Sequence, residues 1–250
     1  FSPDGKQVLT GSSDNTAKLW DLSGRAIQSF SGHAYAVNSV AFSPDGRQVA
    51  FLRRSPVRDR VIFIPEREGP PWSIRVADVT SGTGREAWHA EPGKGSVFQG
   101  IEFGPQLVWS ADDRLVFPWE RDGWKHLYAV PAAGGTAALL TPGAFEIDDV
   151  SYAPDARTAV VSSNQDDIDR RHLWRVTTSG TTPPVALTPG RGLEWNPAVL
   201  ADGVTVAFVK ADARRPGQPS LLEAAGTQRG FGPDAIPPTF PSASLVEPQA

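Results

Sequence analysis

The sequence predicts an all-β fold, a β-propeller of about five four-stranded blades that is incomplete or irregularly closed. Two motifs recur in phase along the chain at a spacing of roughly 50 residues. No window of ten residues shows helical periodicity, and 24 glycines and 23 prolines among 250 residues disfavour long helices. Repeats of this length that are built from several short strands are typical of propeller blades.

The first motif is a turn of the Ser-Pro-Asp-Gly type, and the second is a strand similar to Leu-Trp-Asp. The turns lie at 2–5, 43–46, 110–113, 153–156 and 200–203. The strand motifs lie at 19–24, 76–82, 127–130, 173–176 and 221–224. Proline fixes one φ angle of such a turn, and aspartate and glycine tolerate the left-handed conformation that follows. We therefore expect each turn to join two strands of a blade.

Apolar runs of strand length lie between the turns and the strand motifs. They include 48–52, 115–119, 158–162 and 204–209. Because these runs are apolar at nearly every position, both faces of each strand are expected to be buried.

These patterns divide the chain into blades. We expect a propeller over 1–226 and an extended, proline-containing connector over 227–250. The expected blades are a partial one at 1–30 and further ones at 31–90, 91–140, 141–188 and 189–226.

Composition excludes several function classes. The formal net charge of -4 gives no bulk attraction for phosphates, so we expect no nucleic-acid partner. The absence of cysteine excludes disulfides, thiolate metal sites and cysteine nucleophiles. No run of 18 apolar residues occurs, so we expect no membrane partner. Because the chain starts at Phe1 and has no methionine, we expect a fragment, and the sequence leaves its compartment open.

Residues 1–50 resemble a WD repeat. The resemblance rests on Leu19-Trp20-Asp21, on the later Gly32-His33 pair and on the turn at 43–46. The strand motif at 76–82 has no tryptophan, so the WD pattern does not continue.

From residue 43 onward the chain is more similar to the propeller of the prolyl oligopeptidase superfamily of serine peptidases, in its dipeptidyl peptidase IV-like branch. The segments that carry this resemblance lie at 119–128, 140–143, 162–165, 171–176, 187–190 and 240–249. The resemblance implies a propeller that covers an active site and admits short peptides. It also implies a C-terminal α/β-hydrolase domain that this chain lacks. No Gly-x-Ser-x-Gly elbow occurs, so we expect no catalytic residue in this chain and a serine peptidase as its parent.

Two charged segments are the candidate loops that face a substrate or partner. The first is a basic run in an expected long hairpin insertion, and its candidate residues are Arg53, Arg54, Glu66 and Glu68. The second is an expected hairpin tip with Glu120, Arg121 and Asp122, which could meet the charged end of a substrate. For both segments, an exposed loop with solvated charges is the alternative.

Other motifs are better explained by structure than by chemistry. Residues 82–87 fit a dinucleotide fingerprint but occupy the place of a strand-joining turn. The acidic segment 164–169 lacks the calcium-loop pattern, and we expect a solvated turn partly paired with Arg170 and Arg171. His126 and His172 hold equivalent places before the strand motif, which indicates a role in the repeat. We expect no cofactor and no metal.

Two functions follow from these resemblances. The first is the non-catalytic propeller portion of a serine peptidase, which selects and positions short peptide substrates. The alternative is a WD-type scaffold for protein interactions, and a propeller without an enzymatic partner stays open as a third. Because open blade edges leave backbone groups unpaired, we also expect the isolated chain to associate with itself.

Overall fold

Antiparallel β-sheets make up almost all of the regular structure of the chain. A computed structural model describes residues 1–33, 36–54, 71–102, 104–231 and 236–246. These ranges contain 19 strands and one short 3-10 helix, Ser242–Ser244, and none of their helices is long and apolar enough to cross a membrane. The strands form one three-stranded sheet and four four-stranded sheets. The predicted all-β, β-propeller fold class is confirmed.

Each sheet is a meander, in which strands adjacent in sequence pair with each other. The first sheet contains β1 (Gln7–Gly11), β2 (Ala17–Asp21) and β3 (Ala26–Phe30). The second contains β4 (Val37–Phe42), β5 (Gln48–Arg53), β6 (Ser73–Asp78) and β7 (Gly84–His89). The third contains β8 (Val108–Trp109), β9 (Arg114–Glu120), β10 (Lys125–Pro131) and β11 (Ala138–Leu139).

The last two sheets follow the same order. The fourth contains β12 (Ile147–Tyr152), β13 (Thr158–Ser163), β14 (His172–Thr177) and β15 (Val185–Ala186). The fifth contains β16 (Leu193–Val199), β17 (Val206–Asp212), β18 (Arg215–Leu222) and β19 (Gln228–Gly230). The strand β19 pairs with β18, so the fifth sheet extends to Gly230, beyond residue 226, where the sequence pattern places the end of the propeller.

The turns at 2–5 and 43–46 owe their shape to a serine and an aspartate. In the second sheet, Ser43 Oγ donates to Asp45 Oδ1 at 2.6 Å, and the backbone amide of Arg47 donates to the same carboxylate oxygen at 3.0 Å. Gly46 has a φ of 71°, a conformation that glycine adopts without steric cost. These local bonds close the hairpin between β4 and β5.

Central strands are buried on both faces, as their continuous apolar runs predict. In β9 and β10 the five inner residues of each strand are all buried. By packing, the chain divides into two units, Phe1–Gly100 with Pro105–Leu139 and Ile101–Gly104 with Leu140–Ala250. The largest cluster of the first unit packs aromatic side chains from the second and third sheets around Trp72. In the second unit, Phe208, Val206 and Leu222 pack with Val160 and Leu173 of the fourth sheet.

Candidate functional site

Arg54 and the Glu120–Asp122 hairpin lie at equivalent ends of two sheets in the first unit. Arg54 directly follows β5, the second strand of its sheet, and residues 121–124 connect β9 to β10. Because both strands are second in their meanders, their C-terminal ends lie at equivalent positions. Arg54 and the start of the Glu120–Asp122 hairpin therefore lie at structurally equivalent positions.

Arg54 is a cation without an acidic partner among the described residues. Its guanidinium carbon lies 4.4 Å from the centre of the Phe98 ring, and its Nε atom is buried without a hydrogen-bond partner. Burial lowers the pKa of the Arg54 guanidinium from its ordinary value. A partly desolvated guanidinium without an acidic partner is suited to bind a carbonyl or carboxylate oxygen.

A continuous set of aromatic rings connects Arg54 to the hairpin. Phe98 lies 4.9 Å from Trp72, which lies 5.8 Å from Trp119, all measured between ring centroids. Arg121 then places its guanidinium 5.6 Å from the Trp119 ring. Because buried aromatic rings have few alternative packings, this cluster fixes the spacing between the two arginines.

The backbone around Gly95 ties this arrangement together. Its carbonyl oxygen accepts hydrogen bonds from Trp72 Nε1 at 3.2 Å and from Trp119 Nε1 at 2.7 Å. Gly95 has a φ of +76°, and a Cβ atom there would lie 2.9 Å from the Cα atom of Arg121. The position therefore requires glycine both for its backbone conformation and for the close approach of the hairpin.

The hairpin presents its charges to solvent. Arg121 and Asp122 are exposed, and Glu120 is half-buried at the end of β9. Burial, followed by the negative charge of Asp122, raises the pKa of Tyr128 to about 12. The tip thus carries acidic groups beside a tyrosine that stays protonated at neutral pH.

A second cationic group lies on the opposite side of β5. Burial is the main cause that lowers the pKa of His33. The positive charges of Arg75 and Arg53, which lie nearby, lower it further. The ring of His33 packs against Phe51 at 5.2 Å between centroids. At neutral pH His33 therefore adds no positive charge beside the two arginines.

The other sequence candidates have different outcomes. Glu66 and Glu68 lie outside the described residues, as do the other charged residues of 55–70.

Residues 82–87 form the turn before β7 and its first residues, so no helix follows the glycines. In the acidic segment Asp167 pairs with Arg170 at 2.9 Å, whereas Arg171 pairs with Asp148 instead. No group of three or more His, Asp or Glu side chains in the described part of the chain could hold a metal ion.

Sequence reasoning missed the structural partners of two sites. It did not identify Phe98 as the ring on which Arg54 packs. Nor did it identify Glu194, whose buried carboxylate contacts His172 Nδ1 at 2.9 Å. Both pairs join residues distant in sequence, so no local motif marks them.

Comparison with known proteins places the chain in a family. The family described as the dipeptidyl peptidase IV (DPP IV) N-terminal region matches residues 9–212. The chain belongs to this family. This result confirms the resemblance seen from residue 43 onward.

Solved structures of similar fold include enzymes and proteins of other kinds. A puromycin-hydrolyzing peptidase from Mycobacterium tuberculosis has a TM-score of 0.64 and 18% identity, and the match covers 96% of this chain and 37% of that one. A TolB from Agrobacterium tumefaciens has a TM-score of 0.58 and 22% identity, and the match covers 92% of this chain and 78% of that one. An oligogalacturonate lyase from Vibrio parahaemolyticus has a TM-score of 0.69 and 10% identity, and the match covers 92% of this chain and 63% of that one. At these identities the likeness shows the fold alone.

Curated relatives match over short WD-like stretches. The U5 small nuclear ribonucleoprotein 40 kDa protein of Homo sapiens is 44% identical over 46 residues, which are 18% of this chain and 13% of that protein. A guanine nucleotide-binding protein subunit beta from Solanum tuberosum is 45% identical over 49 residues, 19% of this chain and 13% of that protein. The chain thus spans about an eighth of the curated relatives it matches.

Proposed function

We propose that this chain is the non-catalytic propeller portion of a serine peptidase, in which it covers the active site and selects short peptides. Its family supports this assignment, as does the fold that it shares with a puromycin-hydrolyzing peptidase. The chain has no Gly-x-Ser-x-Gly elbow, so the bond chemistry belongs to an α/β-hydrolase domain encoded elsewhere in the parent protein.

The observation that carries the proposed peptide-positioning role is the equivalent placement of Arg54 and the Glu120–Asp122 hairpin. Arg54 offers a half-buried guanidinium without an acidic partner among the described residues, and Glu120 and Asp122 offer carboxylates. A short peptide carries an amino end, a carboxylate end and carbonyl groups, and opposite charges at fixed spacing would orient it. Arg53 contributes to the same basic end of β5, and Glu66 and Glu68 belong to the same proposed loop set.

The experiment that tests this proposal separates binding from chemistry. The purified chain is incubated with a chromogenic dipeptide, and peptide binding is measured by calorimetry with Arg54→Met as the variant and Arg25→Met as the matched control. We expect no hydrolysis, and binding that Arg54→Met weakens and Arg25→Met does not. Hydrolysis by the chain alone would contradict the non-catalytic assignment, and equal binding by both variants would contradict the role of Arg54.

A WD-type interaction scaffold is the second candidate function. It is favoured by the short matches to curated relatives such as the U5 small nuclear ribonucleoprotein 40 kDa protein. Sequencing the gene downstream of this region discriminates the two. A Gly-x-Ser-x-Gly elbow supports the peptidase, whereas further Gly-His and Trp-Asp repeats support the scaffold.

A further inference from the structure

The fifth sheet carries a cleft that the proposed peptidase role does not use. Two adjoining depressions with volumes of about 430 and 410 Å³ share Lys210 and Asp212. Both volumes fall within the range of small-molecule sites. Their lining residues all lie in the second unit, so the cleft is formed within one packed body.

Positive charge exceeds negative charge around this cleft. Its basic lining residues are Arg191, Lys210, Arg214, Arg215 and Arg229. Three carboxylates lie near these basic residues. Asp212 lines the cleft, Glu194 lies 3.9 Å from Lys210 Nζ, and Glu223 lies 2.7 Å from Arg229 Nε. Arg214 and Arg215 are both exposed, and neither pairs with an acidic side chain among the described residues.

The tight hairpin between β17 and β18 concentrates these charges. Arg214 lies in the turn and Arg215 begins β18, and both side chains are exposed. The Asp212 carboxylate holds the turn by accepting the backbone amide of Arg214 at 2.8 Å. The two guanidinium groups thus extend from a short, fixed segment, which limits how far they can separate.

Lys210 is held at the base of the cleft rather than free to swing away. Its Nζ atom donates to Gln228 Oε1 at 2.6 Å, and it lies beside the buried carboxylate of Glu194. Glu194 is itself held by His172. Gln218 and Ser220 add uncharged polar groups to the lining. A fixed ammonium group, nearby arginine forks and neutral hydrogen-bonding groups are the side-chain set that binds an oxyanion.

From this arrangement we infer that the cleft of the fifth sheet binds a small multivalent oxyanion, either a phosphate group or a polycarboxylate. Phosphate and carboxylate oxygens share the recognition chemistry of arginine and lysine, and an anion of two or more charges can engage Arg214 and Arg215 together. The site is independent of the hairpin that carries the proposed peptide-positioning role, because the two lie in different units.

The test is calorimetric titration of the whole chain with sodium phosphate, and separately with sodium citrate, in a chloride buffer of constant ionic strength. We expect saturable binding of at least one anion, which weakens as sodium chloride is raised. Binding of phosphate alone identifies a phosphate-type site, and binding of citrate alone identifies a carboxylate-type site. The absence of saturable binding by both anions overturns the inference.

Three variants locate the site. Arg215→Gln removes one exposed charge from the lining, and we expect it to weaken binding about tenfold. Asp212→Asn retains an acceptor for the turn but removes a negative charge, so we expect it to strengthen binding. Arg25→Gln removes an exposed charge that pairs with Asp21 in the first sheet, and we expect no change. An equal loss in Arg25→Gln and Arg215→Gln overturns the inference, because it indicates an effect of net charge alone.

Discussion

Trp72 and Trp119 donate their indole N–H groups to one acceptor, the carbonyl oxygen of Gly95. The two tryptophans come from neighbouring sheets, one just before β6 and the other in β9. Both are buried, so each N–H group requires a partner. A single backbone carbonyl satisfies both and thereby holds the segment around Gly95 against the hairpin of the candidate site.

The shared carbonyl predicts a specific stability loss in Trp119→Phe. We expect this change to lower the free energy of unfolding by about 2 to 3 kcal/mol, since it removes ring volume from the core together with a buried hydrogen bond. Urea unfolding measures the loss. Trp88→Phe removes similar volume from the same aromatic cluster, and the Trp88 indole makes no hydrogen bond to a described residue, so this variant is the matched control. Equal losses in the two variants would show that the bond to Gly95 contributes nothing.

Gly95→Ala is expected to destabilise the chain more than Gly93→Ala. Both glycines have a positive φ, so alanine is strained at either position. Only at position 95 does the added Cβ atom also meet backbone, 2.9 Å from the Cα atom of Arg121, whereas nothing lies within 4 Å at position 93. We expect the difference in the free energy of unfolding to be about 1 to 2 kcal/mol, measured by urea unfolding. Equal effects would mean that the hairpin moves away at no cost.

Arg54→Met is expected to leave stability unchanged or to raise it by up to about 1 kcal/mol, even though it removes a native contact. The guanidinium is partly desolvated and has no carboxylate partner among the described residues to offset that cost, while methionine keeps the packing on Phe98. Thermal unfolding measures the change. A clear loss of stability would show that the cation–π contact outweighs the desolvation of Arg54.

The turn of the first sheet predicts a pH dependence. Hydrogen bonds, above all from Ser23 Oγ, lower the pKa of Asp21 from 3.8 to about 2. Because the folded pKa is the lower one, the stabilisation is complete above about pH 4 and disappears as the pH falls towards 2. NMR titration of the Asp21 carboxyl group measures this value. Ser23→Ala should raise the pKa of Asp21, and an unchanged value would contradict the assigned cause.

Much of the fold could be predicted from local sequence. The apolar run at 48–52 lies in β5, and the run at 115–119 lies in β9. Each turn of the Ser-Pro-Asp-Gly type lies just before a strand, as predicted. The last strand, which lies beyond residue 226, carries no such local signal. The strand β19 is short and mostly exposed, so no apolar pattern indicates that Gln228 pairs with Leu222.

The candidate site could be predicted only in part. Charge pattern singled out Arg54 and Arg121, because a dense run of arginines and a charged hairpin tip are visible in sequence. The cleft around Lys210 was not predicted, since its charges come from separate strands and loops of the fifth sheet. The order of charged residues in the sequence does not show which charges are paired in the folded chain and which are not.

By itself, the sequence determined the β-meander repeat and its turns, because these depend on φ preferences and on hydrogen bonds between residues two to five positions apart. Only the tertiary structure decided that Arg54 packs on Phe98 and that Trp72 and Trp119 share the carbonyl of Gly95. Those contacts join residues more than 20 positions apart. These contacts form because the apolar faces of two sheets pack together. The packing determines which side chains are in contact and which charges have no partner nearby.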